Sequence, residues 1–315
     1  MYIPYLRARQ FELIALRELV EQHKLGKEIL PLVEPVKLTP TLILTIEAFI
    51  EAKHPIAVIC NPSVGSFTME RTKNRENKLS DRFDCAMSSE FVQKTLIWDM
   101  KGREYLTEWE KDGFDRAALM LIVQDRDALE LYKDEFAQKS PKYVLIPDQG
   151  TFRRTIDTPK IILQDQFNKQ KRNADYSKVD DEFFSDAQLF YKDEGYVGFA
   201  DYSIIGDEFS VGGFAPYAAA IHLVYFDRTN KLRIHHFVSD SVEDNQDTPG
   251  KFFEAVHKLA DWVAVNNIGM TIGLETLLKH HKEGTYQGLG IVKKLSIMHH
   301  LELMSSYMTR QENHA

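Results

Sequence analysis

The segment that decides the fold is residues 29–61, which read ILPLVEPVKLTPTLILTIEAFIEAKHPIAVICN. A short apolar run at residues 29–36 is followed by a stretch whose apolar side chains recur at helical spacing. Thr39 and Pro40 open that stretch in the order that begins a helix, a capping residue followed by proline. A second apolar run follows at residues 56–61. This strand–helix–strand order is typical of a parallel sheet whose strands are joined by crossover helices.

The same alternation extends in both directions over the rest of the chain. Eight strands are predicted, at residues 2–6, 29–36, 56–61, 117–124, 143–148, 160–164, 196–202 and 217–226. Helices are predicted at residues 9–21, 39–50, 88–100, 126–136, 180–192, 251–266 and 291–307. A ninth strand at residues 232–238 forms a hairpin with the eighth.

These strands and helices fit a closed barrel better than a doubly wound sheet, in which nine strands would leave a wide open edge. The predicted fold class is therefore α/β, a TIM-like (β/α)8 barrel with an added antiparallel strand and C-terminal helices. We expect a single domain over residues 1–315, because barrels of this class commonly use about 250 residues or more as one unit.

The composition argues against several classes of protein. The formal net charge is −8, from 47 acidic and 39 basic residues, so broad nucleic-acid binding is not expected. The two cysteines, Cys60 and Cys85, form no disulfide framework and no zinc pattern. The first residues lack a secretory signal, and no apolar stretch approaches the length of a membrane span. We therefore expect a cytoplasmic protein with no membrane partner.

Polar residues lie at the predicted carboxyl ends of the strands, where barrels of this class place their active sites. Glu34 and Asp201 each interrupt an apolar strand, and a buried carboxylate is costly unless it is paired or functional. Both are therefore candidate catalytic residues. The candidate ligand-binding residues at the other strand ends, or beside them, are Arg7, Arg9, Asn61, Asp148 and Tyr202.

Each assignment has a structural alternative. Glu34 has Arg7 or Arg9 as its natural salt-bridge partner, so the pair is either structural or part of an anion site. Asp and Asn at strand ends commonly cap the following helix, which is the simpler interpretation of Asp125. Both interpretations are open for Asp148 and Asp165.

A divalent metal is the one cofactor that the sequence leaves open, held by Glu34, Asp148 and Asp201. Histidines give it little support, because the two members of a doublet such as 235–236 point in different directions on a strand or a helix. No nucleophile-elbow motif is present, which disfavours serine hydrolysis.

Two polar loops and a glycine-bearing segment are further candidates. Residues 62–87 and 169–178 are predicted to be polar loops. Their basic stretches, residues 71–82 and 169–172, could bind phosphates, but aromatic residues that stack on bases are almost absent from them, so solvated loops are the simpler interpretation. Gly206, Gly212 and Gly213 would allow a close approach to a ligand, although they match no nucleotide-binding fingerprint.

Five segments resemble, in the same order, motifs of the beta protein family of bacteria and phages. PYLRARQFE at residues 4–12 resembles its P-x-L-K-x-K-x-G-E opening, and PLVEP at residues 31–35 resembles its P-L-I-E segment. FADYSI at residues 199–204 and AAAIHL at residues 218–223 resemble its G-D-Y and S-A-A-I-R-Y strands. KKLSIMHHL at residues 293–301 is similar to its R-R-x-G-T-N-H-H-L tail, with Ser-Ile-Met where the family has Gly-Thr-Asn.

The resemblance implies a barrel-like fold and a place among mobile elements and phage-defence genes, often beside a restriction-type nuclease. It implies no settled activity, and it places Arg7, Glu34, Asp201 and His299 above other candidates, so His299 joins the ligand-binding set. We expect an accessory component of a bacterial or phage conflict module, which binds an anionic small molecule or the protein of a neighbouring gene. The alternative is a carboxylate- or metal-dependent hydrolase such as a phosphodiesterase, and whether the protein is an enzyme stays open.

Overall fold

A computed structural model describes residues 1–73, 78–210 and 216–313. Eight parallel strands form a closed barrel, which confirms the predicted fold class. Counting the strands β1 to β11 along the chain, the members of the barrel are β1 (Tyr2–Leu6), β2 (Leu32–Val33), β3 (Ile56–Ile59), β4 (Val92–Ile97), β5 (Met120–Ile122), β6 (Tyr143–Ile146), β7 (Lys160–Leu163) and β9 (Gly198–Asp201).

The register of the first and last barrel strands determines which side chains meet. Tyr5 lies opposite Leu32 and Leu6 opposite Val33, so β1 and β2 end side by side. Tyr2 lies opposite Phe199, which closes the barrel between β1 and β9. Every residue of β1, β2, β3 and β9 is buried, as expected for strands covered on both faces.

Eleven helices occur in the described part of the chain, and several begin at side-chain caps. Thr39 and Asp125 each accept a hydrogen bond from the third residue after them, so Asp125 is the helix cap that its position favours. No helix among the described residues is both long and apolar enough to cross a membrane. The helices are α1 (Gln10–Glu21), α2 (Pro40–Glu51), α3 (Phe67–Lys73), α4 (Lys78–Met87), α5 (Met100–Lys111), α6 (Arg126–Glu135), α7 (Gly150–Thr155), α8 (Ala187–Phe190), α9 (Thr248–Val265), α10 (Ile272–Glu283) and α11 (Leu289–Asn313).

A separate antiparallel sheet has the strand order β10-β11-β8. Its strands are β8 (Asp181–Ser185), β10 (Ala220–Phe226) and β11 (Leu232–Val238). The predicted hairpin is present, since β10 pairs with β11 through a turn in which Asn230 has a φ of 60°.

The contacts of the chain divide it into two compact units. The first unit comprises Met1–Leu13, Lys27–Gln164 and Phe190–Tyr202, and it contains the whole barrel. The second comprises Ile14–Gly26, Asp165–Leu189 and Ser203–Ala315, and it contains the antiparallel sheet with α9, α10 and α11. That residues 1–315 act as one domain stays a prediction.

Three predicted elements are wrong in type or place. The helix predicted at residues 88–100 contains strand β4, and the first half of the helix predicted at residues 180–192 is strand β8. Residues 217–226 do not supply the eighth barrel strand, because β10 belongs to the antiparallel sheet. The barrel still has eight strands, since the overlooked β4 takes the place of β10 in the count.

The segment at residues 62–87 is more regular than the irregular loop predicted for it. It contains α3 and α4, and α4 buries Phe83 and Met87 on one face. Residues 74–77 of the predicted loop, with Arg75, lie outside the described residues, as do Gly212 and Gly213 of the glycine-bearing segment.

Candidate functional site

The barrel brings Arg7 and Glu34 together at the carboxyl ends of β1 and β2. Leu6 is paired with Val33, so the residues that follow them are neighbours across the two strands. The Arg7 guanidinium forms an ion pair with the Glu34 carboxylate. The Glu34 side chain is 0% exposed, whereas the Arg7 side chain is 12% exposed. Arg7, rather than Arg9, is therefore the partner of Glu34.

The carboxylate of Glu34 accepts four hydrogen bonds. Its Oε1 accepts from the backbone N–H of Ser63 at 2.7 Å and from the Ser63 hydroxyl at 2.9 Å. Its Oε2 accepts from the Tyr5 hydroxyl at 2.7 Å and from Nη1 of Arg7. Four donors match the acceptor capacity of one carboxylate. Glu34 is therefore engaged as an anchor for Arg7, which leaves it poorly suited to take a proton from a substrate.

Two aromatic rings hold the guanidinium of Arg7. Its central carbon lies 5.0 Å from the ring centroid of Tyr5 and 5.3 Å from that of Tyr202. The two rings contact each other, with centroids 4.7 Å apart, and Nε2 of Gln124 donates to the Tyr202 hydroxyl at 3.1 Å. A guanidinium that packs against two aromatic rings gains cation–π attraction and loses rotational freedom.

The charges around Arg7 keep it protonated. Burial on its own lowers the pKa of Arg7, but the oxygens of Tyr5, Glu34 and Tyr202 more than offset that effect, so the pKa is raised. Burial, followed by the charge of Glu34, raises the pKa of Tyr5 well above its ordinary value. The arrangement is thus a cation, a carboxylate and a neutral phenol.

The backbone after β1 is also held in place. Arg7 donates its backbone N–H to Oε2 of Glu12 at 2.9 Å, and Ala8 has a φ of 46°, in the left-handed region. Arg9 is half-buried, and its carbonyl accepts from the N–H of Leu13 at 2.9 Å, where α1 begins. These contacts fix the direction in which the chain leaves the barrel at Arg7.

Asn61 joins two strand ends. Its side-chain amide accepts from the N–H of Ile97 at 2.9 Å and donates to the carbonyl of Ile97 at 2.7 Å. Gly102 of α5 lies against this bridge, because a Cβ there would approach the Ile97 carbonyl oxygen to 2.5 Å. Asn61 therefore holds the ends of β3 and β4 together through its whole amide group.

Asp201 faces away from the Arg7–Glu34 pair. Successive side chains of a strand point to opposite faces, and Tyr202, which follows Asp201, is the residue that contacts Tyr5 and Arg7. Asp201 instead accepts from the Tyr2 hydroxyl at 2.9 Å. Burial and the neighbouring Asp201 raise the pKa of Tyr2 well above its ordinary value. The expected meeting of Arg7, Glu34 and Asp201 on one face is thus wrong for Asp201.

Asp148 is engaged separately from both carboxylates. It accepts from the Tyr196 hydroxyl at 3.2 Å and lies 3.3 Å from Nη1 of Arg153, with 34% of its side chain exposed. Glu34, Asp148 and Asp201 therefore each have partners of their own. Within residues 1–73, 78–210 and 216–313, no group of three or more His, Cys, Asp or Glu is arranged to hold a metal ion.

His299 lies in the second unit and joins three of its elements. Its Nε2 donates to the carbonyl of Val224 in β10 at 2.8 Å, so its Nδ1 accepts from the Thr271 hydroxyl at 2.8 Å. Burial lowers the pKa of His299 to about 4, which keeps the ring neutral. The side chain is 0% exposed, and its contacts are those of a structural histidine in the core.

Sequence reasoning missed three residues that complete the arrangement around Arg7, namely Tyr5, Ser63 and Gln124. Tyr5 precedes Arg7 by two positions, so the alternation of strand β1 already places both on one face. Ser63 and Gln124 carry no such signal, because their contacts depend on which strands become neighbours.

Comparisons with known proteins give no relative for this chain. No family model matches it, and no match was found among the curated proteins or the solved structures. The resemblance to the beta protein family stays a prediction.

Proposed function

We propose that the protein binds an anionic ligand at the carboxyl-terminal mouth of the barrel, with Arg7 as the principal contact. The observation that carries this proposal is a charged guanidinium that lies against the rings of Tyr5 and Tyr202 and is anchored by the buried Glu34. Barrels of this class place their ligands at this end. Arginine is the side chain best suited to the planar oxygens of carboxylates and phosphates.

Pre-organisation supports the proposal. An exposed arginine loses conformational entropy when it binds a ligand, and that loss weakens the complex. Arg7 has already lost much of this freedom, because its ion pair and the two rings confine it. A ligand that contacts Arg7 would therefore lose less binding free energy to the ordering of the side chain than a ligand that contacts a solvated arginine.

The same geometry favours binding over hydrolysis. A hydrolase of the carboxylate type needs an available base beside the group that stabilises charge. Glu34 has all four acceptor positions engaged, and Asp201 lies on the other face of its strand. The contacts of these two carboxylates therefore support a ligand-binding role.

Isothermal titration calorimetry with inorganic phosphate and with nucleoside monophosphates tests the proposal. The double variant Arg7→Met/Glu34→Gln removes the cation without leaving a buried carboxylate, and we expect it to bind at least about tenfold more weakly. Glu34→Gln alone keeps Arg7 and should bind more tightly than the double variant. Arg126→Met, at an exposed arginine of α6, serves as the charge-matched control. Equal affinity of the double variant and the wild type would contradict the proposal.

We further propose that the protein acts in the bacterial cytoplasm as an accessory component of a phage-defence or related conflict module. The five segments that resemble, in order, motifs of the beta protein family support this setting, and the barrel agrees with the fold that the resemblance implies. A restriction-type nuclease from a neighbouring gene is the proposed partner. Co-purification with that partner and fewer plaques on phage challenge are the expected results. No association together with no effect on plaques would reject this setting.

A further inference from the structure

A cavity in the first unit lies on the outer face of the barrel. It lies between β4, α3, α4, α5 and the residue after β3, and its volume is about 270 Å³. Drug-sized ligands occupy cavities of roughly 300 Å³ upwards, so this one suits a small molecule. The lining residues that bear on its chemistry are Cys60, Arg71, Phe83, Lys94, Tyr105 and Trp109.

Lys94 brings a positive charge to this cavity. Its Nζ lies 5.3 Å from the ring centroid of Trp109 and 5.3 Å from that of Phe114. In the described ranges of the chain, no carboxylate lies within ion-pair distance of Lys94. The ammonium group therefore lies against two aromatic rings and has no carboxylate as its counter-ion among the described residues.

The other charges of the cavity cancel each other. Arg71 forms two parallel hydrogen bonds to the carboxylate of Asp84, at 2.8 and 3.1 Å, and its guanidinium lies 5.0 Å from the ring centroid of Phe83. Arg71, Asp84 and Lys94 are the charged residues among those that line the cavity. With Arg71 matched by Asp84, the charge of Lys94 is uncompensated.

The remaining polar groups are neutral donors. The hydroxyl of Tyr105 makes no hydrogen bond to any residue that the structure describes, and its ring lies edge-on to Trp109 with centroids 6.0 Å apart. Burial raises the pKa of Tyr105, so the hydroxyl keeps its proton. Burial also raises the pKa of Cys60 to about 12, so its thiol adds no negative charge.

We infer that this cavity is a second binding site, for a small organic anion that carries an aromatic ring. The anionic group would lie between the ammonium of Lys94 and the hydroxyl of Tyr105, two donors that can hold one oxyanion. The ring would pack against Trp109 and Phe83, which form the apolar walls. Lys94 faces outward from the barrel, and this site is independent of the Arg7 site.

The probe for this inference is 8-anilinonaphthalene-1-sulfonate, an aromatic anion, compared with N-phenyl-1-naphthylamine, its uncharged analogue. Binding is measured by probe fluorescence and by energy transfer from tryptophan, with Trp109→Phe to identify the donor. We expect the folded wild type to bind the sulfonate more tightly than the amine. Lys94→Met should weaken sulfonate binding about tenfold, which is the loss expected for one charge-assisted contact. Binding of the uncharged amine should stay unchanged.

A matched control makes the result specific. Lys101→Met removes an exposed lysine in the first turn of α5 and should leave sulfonate binding unchanged. If Lys94→Met fails the check of cooperative unfolding, Tyr105→Phe takes its place, with a several-fold loss expected. The inference is overturned if the folded wild type does not bind the sulfonate, or if the folded Lys94 or Tyr105 variant binds it as tightly as the wild type.

Discussion

Arg7 and Glu34 meet at the ends of two neighbouring barrel strands, and the pair is asymmetric. Glu34 is wholly enclosed and accepts four hydrogen bonds, whereas Arg7 keeps part of its side chain in contact with solvent. The carboxylate therefore anchors the pair, and Arg7 is the member of it that keeps some contact with solvent.

Removing the anchor should destabilise the fold. Glu34→Ala leaves a mostly buried cation without its partner and removes the acceptor for Tyr5 and Ser63. We expect a loss of about 3–5 kcal/mol in the free energy of unfolding, as for other broken buried ion pairs. Urea unfolding followed by circular dichroism measures it.

The matched control is Glu130→Ala, which breaks an exposed ion pair with Lys133 on α6. That pair should contribute less than about 1 kcal/mol. If both variants lose the same small amount, Glu34 is not the anchor that its contacts indicate.

Gly102→Ala should also destabilise the protein, against the usual preference of helices for alanine. The added Cβ would lie 2.5 Å from the carbonyl oxygen of Ile97, which the Asn61 amide already holds in place. Because backbone cannot move away cheaply, we expect a loss of about 2 kcal/mol or more, typical of overpacking.

Thermal or urea unfolding tests this, with Thr107→Ala on the exposed face of the same helix as the control. A Gly102→Ala variant as stable as the wild type would mean that α5 can shift away from the end of β4.

Much of this fold could be predicted from the sequence, because parallel strands and their crossover helices leave distinct periods in the chain. The strand β4 is predicted wrongly as a helix because the helical and strand spacings coincide there. Val92 and Leu96 are four residues apart, which suits one face of a helix and one face of a strand equally. Strand β8 was missed for another reason, since its partner β11 is about fifty residues away and nothing local indicates the pairing.

The candidate site was predictable in part for a similar reason. The pairing of Arg7 with Glu34 is predictable because Glu34 is a charge in a buried segment, and the neighbouring first strand ends at a residue of opposite charge, Arg7. The position of Asp201 does not, because the register that pairs Tyr2 with Phe199 decides whether Asp201 or Tyr202 faces Arg7. A shift of one residue would exchange them.

His299 should make stability depend on pH. Its pKa in the fold is about 4, below the ordinary 6.5, so between these values the unfolded chain binds a proton that the fold excludes. The contribution of His299 to the free energy of unfolding is therefore complete above pH 6.5 and is lost as the pH falls toward 4. The loss for this one group is about 3 kcal/mol.

His299→Gln tests the effect, because glutamine can donate to Val224 and accept from Thr271 without titrating. The free energy of unfolding of each protein is measured by urea unfolding across this pH range. We expect the variant to lose less stability than the wild type on acidification. A constant difference between the two proteins at every pH would exclude His299 as a source of acid sensitivity.

We propose that Arg7 presents its charge to an anion at the barrel mouth, and a crystal structure of the protein soaked in tungstate is the sharpest test of that contact. Tungstate is a tetrahedral oxyanion that anomalous scattering locates without ambiguity. We expect a tungsten peak at the barrel mouth, with the tungstate oxygens within hydrogen-bond distance of the Arg7 guanidinium, and no such peak in Arg7→Met/Glu34→Gln. Tungstate bound elsewhere on the wild type, with none at Arg7, would contradict it.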